Sequence, residues 1–291
     1  MRYGIYTTVF GEFANPRTLA DLAQAAEAAG WDGFFLWDHI LYAAPIDFTD
    51  PWISLAAMAC STERILLGPL VTPLPRRRPW IVARQALALD HLSGGRLIQG
   101  VGIGGDWWRE YSAFGELLDA KRHSAMLDEG IAVLTGLWSG NPFTFHGEYY
   151  QVQDVCFLPQ PVQSPRIPIW VAGYWPHKPG FRRAARWDGI FPYRDSGKIS
   201  PNDIADIRKY IGEFRESLEP FEIIVDTAMA VSGSASAIEE YGSAGATWWI
   251  ECFDQESTTE QIKSRILEGP PKVRARRFRS KTSSTARPKK T

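Results

Sequence analysis

Residues 64–105, RILLGPLVTPLPRRRPWIVARQALALDHLSGGRLIQGVGIGG, predict a strand, a helix and a second strand in that order. The apolar run 65–71 is nearly continuous, which is typical of a strand that is buried on both faces. Pro79 predicts the first turn of the helix, because proline lacks the N–H that would be unpaired there, and apolar residues follow at helical spacing. Ser93-Gly94-Gly95 ends the helix, and residues 96–102 form another apolar strand. This order predicts a right-handed βαβ unit.

Similar units follow one another along the chain. Strands are predicted at 3–8, 34–36, 65–71, 96–102, 169–172, 189–191, 223–231 and 247–252, with helices between and after them. Eight strand and helix pairs predict an α/β protein, a (β/α)8 TIM barrel, a fold that usually needs about 250 residues. The barrel is predicted to be one domain over residues 1–269.

Residues of about 141–168 interrupt this pattern. A turn at His146-Gly147 lies between two aromatic runs, and a proline-rich connector follows. This pattern predicts a β-hairpin inserted between the fourth and fifth barrel strands.

Charge is distributed unevenly along the chain. The sequence has 32 basic and 33 acidic residues, but nine basic residues and no acidic residue lie from residue 270 onward. This leaves 23 basic and 33 acidic residues in residues 1–269, a net charge of −10. A body of that charge disfavours binding of nucleic acid, and residues 270–291 are predicted to be a disordered basic tail.

The cysteines and the apolar runs indicate a cellular compartment. Cys60, Cys156 and Cys252 lie far apart and match no metal-binding or redox spacing, which predicts reduced thiols in the core of a cytoplasmic protein. The sequence shows neither a signal peptide nor an apolar run of the roughly 20 residues that a membrane span needs. The histidines are isolated, so no metal site is predicted. The oligomeric state is left open, and a homodimer is one arrangement that the sequence allows.

The active site of a TIM barrel lies at the C-terminal ends of the strands. Trp37-Asp38-His39 ends the second strand, where His39 could transfer a proton near neutral pH and Asp38 could accept from an imidazole N–H. The alternative is a structural pair that caps the strand. Residues 100–105 fit the dinucleotide fingerprint G-x-G-x-x-G, but Asp-Trp-Trp-Arg follows instead of an apolar helix. We interpret these glycines as bare backbone against which a flat ring or a phosphate can lie.

Two loops are candidates for a phosphate site. Residues 173–179 precede a helix whose first turn carries Arg182 and Arg183, and residues 232–236 follow the seventh strand. These patterns alone do not separate the two loops.

Five segments in succession resemble the bacterial luciferase-like monooxygenase family. They are WDH (37–39), LGPLVTPLPRRRPW (67–80), SGGRLIQGVGIG (93–104), GLW at the end of the long helix (136–138) and IPIWVAG (167–173). The resemblance covers about residues 1–268. It implies a (β/α)8 barrel with an insertion, an oxidoreductase, and FMN or the deazaflavin coenzyme F420 as cofactor.

The resemblance also implies roles for individual residues. Asp38 and His39 would lie beside the cofactor ring, and a non-prolyl cis peptide at Pro69-Leu70 would support the ring from behind, with Thr72 in contact with it. The ribityl chain and phosphate would be held by Gly102, Gly104, Ala172, Gly173, Tyr174 and Trp175, which favours the loop after the fifth strand. Substrate contacts would come from Tyr6, Trp52, Trp107, Trp108 and the insertion, although each of these side chains also fits an ordinary core or lid position.

Together these features predict hydride transfer between the cofactor and a small organic substrate, with oxygen activation where the cofactor is FMN. Deazaflavin-dependent sugar-phosphate dehydrogenases of the family have a glutamate after the glycines of the fourth strand, and Gly105 stands there in this chain, which argues against a sugar-phosphate substrate. The Asp-His pair favours the deazaflavin, since a Glu-His pair is common near FMN. Two alternatives stay open: a non-catalytic flavin-binding barrel, because no acid clearly replaces that glutamate, and a nicotinamide-dependent dehydrogenase.

Overall fold

The computed structural model describes residues 1–272, so all but the start of the predicted tail lies outside the described residues. The strands are β1 (Arg2–Thr7), β2 (Gly33–Leu36), β3 (Leu66–Pro69), β4 (Thr72–Pro73), β5 (Gln99–Gly102), β6 (Phe143–His146), β7 (Gln151–Val155), β8 (Ile169–Trp175), β9 (Gly189–Arg194), β10 (Glu222–Asp226) and β11 (Trp248–Phe253). The α-helices are α1 (Pro16–Ala28), α2 (Pro51–Ser61), α3 (Pro79–Ser93), α4 (Ala120–Trp138), α5 (Lys178–Ala184), α6 (Pro201–Phe214), α7 (Ala235–Ala244) and α8 (Thr259–Leu267).

Local sequence signals set the ends of several helices. The Asp50 carboxylate accepts from the N–H of Ile53 at 2.9 Å and caps α2, whose first residue is Pro51. Gly94 ends α3 in the left-handed conformation, with a φ of 66°. These three assignments agree with the sequence prediction.

The parallel sheet closes through a third barrel strand that is split in two. Nine strands pair in the order β3, β2, β1, β11, β10, β9, β8, β5, β4. Only Leu70 and Val71 separate β3 from β4, and β4 pairs with β5. At the other end of the sheet, the N–H of Ile98 donates to the carbonyl of Leu67 in β3 at 2.9 Å. These bonds join both edges of the sheet, and the predicted (β/α)8 barrel is confirmed.

The insertion lies between α4 and β8, where β6 and β7 form an antiparallel hairpin. Glu129 of α4 holds it: the carboxylate accepts from the N–H groups of Glu148, Tyr149 and Tyr150 at 2.7, 2.9 and 3.0 Å. The turn of the hairpin, residues 147–150, is therefore fixed to α4 by this carboxylate.

Inward and outward side chains alternate along the barrel strands, as in any pleated strand. The inward positions form one buried cluster: Tyr6, Phe35, Leu70, Ile98, Trp170, Phe191, Ile224, Trp248 and Ile250. The outward positions pack against the helices in a second and larger cluster. The interior of the barrel is thus filled with large side chains, and a ligand has room only above them, at the C-terminal mouth.

Glycines allow the split strand to approach β5. A Cβ atom at Gly68 would lie 1.9 Å from the carbonyl oxygen of Ile98, and one at Gly100 would lie 2.2 Å from that of Pro69. At Gly102 it would lie 2.9 Å from Cγ2 of Val71. At these three positions the missing side chain therefore makes room for neighbouring protein atoms.

The non-prolyl cis peptide lies one residue later than the resemblance implied. It joins Leu70 to Val71 and not Pro69 to Leu70. The N–H of Leu70 still donates to the carbonyl of Leu36 at 2.8 Å. Leu70 therefore still pairs with β2, and the main chain departs from the strand only after this residue.

Three other expectations need correction. The seventh barrel strand ends at Asp226 and not at 231, because the N–H of Ala230 turns back to the carbonyl of Asp226 at 3.0 Å. The segment after Gly105, DWWREYSAFG, is predicted from its sequence to be a short helix, but it forms only a 3-10 turn, Ser112–Phe114. Cys60 and Cys156 are exposed and Cys252 is half-buried, since the first two lie on the outer face of α2 and in the connector of the insertion.

None of the helices in the described residues is long and apolar enough to span a membrane.

We expect Gly68→Ala to destabilise the fold strongly, by about 3 kcal/mol or more, because the new methyl group overlaps the main chain of the neighbouring strand. Urea denaturation followed by circular dichroism measures this loss. Gly212→Ala is the matched control, since a Cβ atom there meets nothing within 4 Å on the exposed face of α6. It should stabilise the helix by about 1 kcal/mol, and a similar result for both variants would contradict the close approach at Gly68.

Candidate active site

A histidine and a glutamate meet at the mouth of the barrel. His39 follows β2, and its Nδ1 lies 2.7 Å from Oε2 of Glu110, which comes from the loop after β5. The N–H of Ile40 donates to the other oxygen of Glu110 at 2.8 Å. The His39 side chain is 20% exposed and that of Glu110 is 2% exposed. The imidazole therefore faces the mouth, while the carboxylate supports it from below the surface.

Two arginines connect this pair to Asp38. Nη1 of Arg76 donates to Glu110 at 2.5 Å, and its Nη2 donates to the main-chain carbonyl of Asp38 at 2.8 Å. Arg77 donates to Oδ2 of Asp38 at 3.2 Å. The side chains of Arg76 and Asp38 are 4% and 0% exposed. A buried network of salt bridges thus holds the end of β2, which carries His39.

Asp38 also receives two neutral hydrogen bonds on Oδ2. They come from the Thr72 hydroxyl at 2.7 Å and from the Trp52 indole N–H at 3.0 Å. These partners lie on β4 and α2, behind the wall of the mouth. The structure therefore brings Asp38, Thr72 and Trp52 together, but in the layer between strand and helix and apart from the face that His39 presents.

Burial alone would raise the pKa of Glu110, but the hydrogen bond and charge of His39, the Arg76 guanidinium and the Ile40 N–H together lower it. Glu110 therefore stays ionised down to unusually low pH. An anionic partner at Nδ1 favours a proton on this nitrogen of His39, which leaves Nε2 as the ring nitrogen that can accept or give a proton at the mouth.

An aromatic wall surrounds His39. The Trp108 ring lies 4.3 Å from the imidazole and is stacked with Trp37 at 6.1 Å. Phe10 and Tyr42 close the outer side of Trp108 at 5.6 and 4.9 Å. Trp107, by contrast, is 68% exposed. Of the two adjacent tryptophans, Trp108 joins the site and Trp107 faces solvent.

The opposite wall comes from β1, β8 and β9. Tyr6 is buried and donates its hydroxyl proton to the carbonyl of Leu70. Tyr174 and Tyr193 lie side by side with their rings 5.7 Å apart. Ala172 shares the inward face with Tyr174, because the two are two positions apart on β8. Small and aromatic side chains therefore line this side of the mouth.

The basic residues of α5 lie on the outer surface of the barrel. Arg183 pairs with Asp128 of α4 at 2.7 Å, and Arg182 lies over the ring of Phe214 at 5.0 Å. The amine of Lys178 lies 3.6 Å from the ring centroid of Trp175. These three cationic side chains thus contact protein groups on the outer surface, whereas the main chain of Gly173 lies next to the mouth.

Two polar atoms at the mouth lack partners within the described residues. The hydroxyl of Thr8 and the indole N–H of Trp37 are buried without a hydrogen bond. Both residues lie on the inward side, each two positions after a residue of the interior cluster, Tyr6 and Phe35. Flavin and deazaflavin rings carry carbonyl oxygens and ring nitrogens that accept hydrogen bonds, so the residues present fit such a ring.

A family model described as luciferase-like monooxygenase matches residues 1–283. The chain belongs to the luciferase-like monooxygenase family. It is therefore an oxidoreductase, which confirms the sequence prediction.

The chain is similar in sequence to a dehydrogenase and in fold to two solved structures. An F420-dependent glucose-6-phosphate dehydrogenase from Nakamurella multipartita is 33% identical over 168 residues, which are 55% of this chain and 48% of that protein. The fold is similar to that of an F420-dependent secondary alcohol dehydrogenase solved with an F420-acetone adduct, with a TM-score of 0.76 and 18% identity over 94% of this chain and 99% of that chain. It is also similar to the oxygenating constituent of 3,6-diketocamphane monooxygenase from Pseudomonas putida, solved with FMN, with a TM-score of 0.63 and 18% identity over 78% and 66% of the two chains.

Sequence reasoning missed Glu110. The resemblance to the sugar-phosphate dehydrogenases of the family predicts an acid immediately after the glycines of β5, and Gly105 stands at that position. The structure shows that a loop of four residues returns the chain, so that the fifth residue after Gly105 reaches His39. The available signal was the second of two acids, Asp106 and Glu110, in the aromatic run DWWREY next to the predicted mouth.

We expect Glu110→Gln to lower the free energy of unfolding at pH 7 by about 3 kcal/mol, because it removes a carboxylate from a buried ion pair and leaves Arg76 short of a partner. The pKa of Glu110 is lower in the folded chain than the ordinary value of 4.5. Its contribution is therefore present above pH 4.5 and is lost as the pH falls through the lower folded value.

Urea denaturation of wild type and variant between pH 3 and pH 7 measures this difference, which should shrink in acid. Glu213→Gln, on the exposed face of α6, is the control and should change stability little at any pH. A constant difference across the pH range would show that Glu110 is not held as a carboxylate.

Proposed function

We propose that this luciferase-like protein binds F420 at the mouth of the barrel and moves a hydride between this cofactor and a small organic substrate. The pair of His39 and Glu110 carries the proposal, because a hydride transfer to or from a carbon that bears oxygen needs a proton acceptor or donor beside the reacting atoms. FMN, which would add oxygen chemistry, is the alternative cofactor, and titration with both cofactors distinguishes the two.

In this proposal the chain supplies binding, orientation and proton handling. Bound F420 would supply the carbon that accepts or gives the hydride. Nε2 of His39 takes the proton from the substrate oxygen or returns it, and Glu110 at Nδ1 stabilises the imidazolium while the proton is there. Asp38 is a positioning residue, since its contacts go to Arg76, Arg77, Thr72 and Trp52.

The cofactor would occupy the inward side of the mouth. The indole N–H of Trp37 and the hydroxyl of Thr8 are the buried groups available to its ring. Main chain at Gly102, Gly104 and Gly173 is proposed to hold the ribityl chain and phosphate, next to the third and fourth barrel strands. Trp108 is proposed to contact the substrate, since it lies against His39.

The first test is the identity of the cofactor. We expect the purified chain to bind F420 with a dissociation constant in the micromolar range or below, with FMN weaker, as measured by quenching of cofactor fluorescence on titration. Tighter binding of FMN would favour the monooxygenase alternative. Failure of both cofactors to bind would end the proposal, and tight binding of NADH in their place would favour the nicotinamide dehydrogenase.

The second test is the role of His39. We expect His39→Ala to bind F420 within about twofold of wild type and to lose at least about 100-fold in turnover, because general acid-base catalysis contributes roughly 10²–10⁴-fold. Turnover is measured as the loss of visible F420 absorbance with a panel of secondary alcohols and glucose-6-phosphate. His146→Ala, on the exposed hairpin, should retain full turnover. Wild-type rates in His39→Ala would contradict the proposed role, and absence of turnover in the wild type with normal binding would favour a carrier protein.

A further inference from the structure

A second titratable group lies on the far side of the mouth from His39. Asp226 is the last residue of β10 and is 3% exposed. Along this strand Ile224 belongs to the interior cluster and Val225 packs outside it, so Asp226 points into the barrel. The mechanism proposed above does not use this side chain.

The strand register places Asp226 among side chains that can carry a proton. Asp226 pairs with Ile250 of β11, and the next inward pair above it joins Cys252 to Tyr6. On its other side Ile223 pairs with Ile190, so Tyr193 lies at the same height as Asp226. The charge of Asp226 raises the pKa of Tyr6, Tyr193 and Cys252, in each case after the larger effect of burial.

Asp226 is held by main-chain groups. The N–H of Met229 donates to Oδ1 at 2.7 Å, and the N–H of Ala228 is a second donor. Within residues 1–272 no cationic side chain forms a salt bridge with it, and Lys198 acts on it only through its charge. Burial is the largest effect and raises the pKa of Asp226 to about 6, although both N–H groups oppose this.

One of the neighbouring tyrosine protons is already committed, because Tyr6 donates to the carbonyl of Leu70. Burial keeps the thiol of Cys252 protonated, and a thiol is a weak donor. The proton of a neutral Asp226 is therefore a strong donor on this side of the mouth.

Resting on the proposed function, we propose that Asp226 is a second ligand-contacting group, which in its neutral form donates a hydrogen bond to a carbonyl oxygen or ring nitrogen of the bound cofactor. An asparagine would accept from the same two N–H groups without the cost of burying an acid, so the turn alone does not explain an aspartic acid here. It follows that binding of the cofactor at neutral pH takes up a proton from solvent.

Isothermal titration calorimetry measures this uptake. F420 and FMN are titrated at pH 7 into wild type and Asp226→Asn, each in phosphate and in Tris, whose heats of ionisation differ. The variant keeps an amide donor and the acceptor for the Met229 N–H, but it cannot titrate. Because the ionisation of the ligand enters both proteins equally, the difference in uptake reports Asp226.

We expect the wild type to take up about 0.9 proton more per bound ligand than Asp226→Asn, since a carboxyl with a pKa of about 6 is roughly nine-tenths ionised at pH 7. The ratio of the two dissociation constants, wild type over variant, should rise by about 50-fold between pH 6 and pH 8. Asp21→Asn, exposed on α1, should behave as wild type.

Equal uptake in wild type and Asp226→Asn, with normal binding, overturns the inference and leaves the proposed function standing. Absence of binding of either cofactor to the wild type removes the proposed function and the inference together. Circular dichroism checks that Asp226→Asn is folded, and Asp226→Ser, which also caps the turn and does not titrate, replaces it if it is not.

Discussion

The mouth of this barrel depends on one buried carboxylate. Asp38 accepts from the arginine that reaches Glu110, from a second arginine, from the split third strand and from α2. A buried charge is costly unless it is paired and hydrogen-bonded, and once its partners are present each of them is fixed in turn. Through Arg76 this constraint extends to Glu110 and then to His39. The imidazole of His39 is therefore positioned by a chain of ionic contacts that begins in the layer between the strands and the helices.

The two sides of the mouth handle protons in opposite ways. On the side of β2, arginine and histidine partners keep the pKa of Glu110 low, so the carboxylate stays charged. On the side of β10, burial raises the pKa of Asp226, which forms no salt bridge within residues 1–272. The surroundings thus shift the pKa values of these two carboxyl groups in opposite directions. Such a difference in pKa is the usual physical basis for dividing acid and base roles within one site.

Periodicity and turn chemistry in the sequence were enough to predict the barrel, the insertion and the identity of the strand that carries His39. Three features could not be obtained in this way. The cis peptide bond lies between Leu70 and Val71, after the hydrogen bond of the Leu70 N–H to Leu36. That hydrogen bond is a contact between strands, which the local sequence does not show. Glu110 reaches His39 because of the path of an irregular loop. A loop of this kind has no hydrophobic periodicity from which its path could be predicted. The close approach of the split strand to Gly100 and Gly102 could not be predicted, because an approach of another strand and an approach of a ring require the same missing Cβ atom.

The attachment of the inserted hairpin has an evolutionary consequence. Its turn is held from α4 by the carboxylate of Glu129, which accepts from three successive N–H groups. A change in the length of either strand would move this turn away from Glu129 and leave the three N–H groups without their acceptor. The length of the insertion is thus coupled to a residue of the barrel. Lineages that lengthen or shorten this segment are expected to change residue 129 with it.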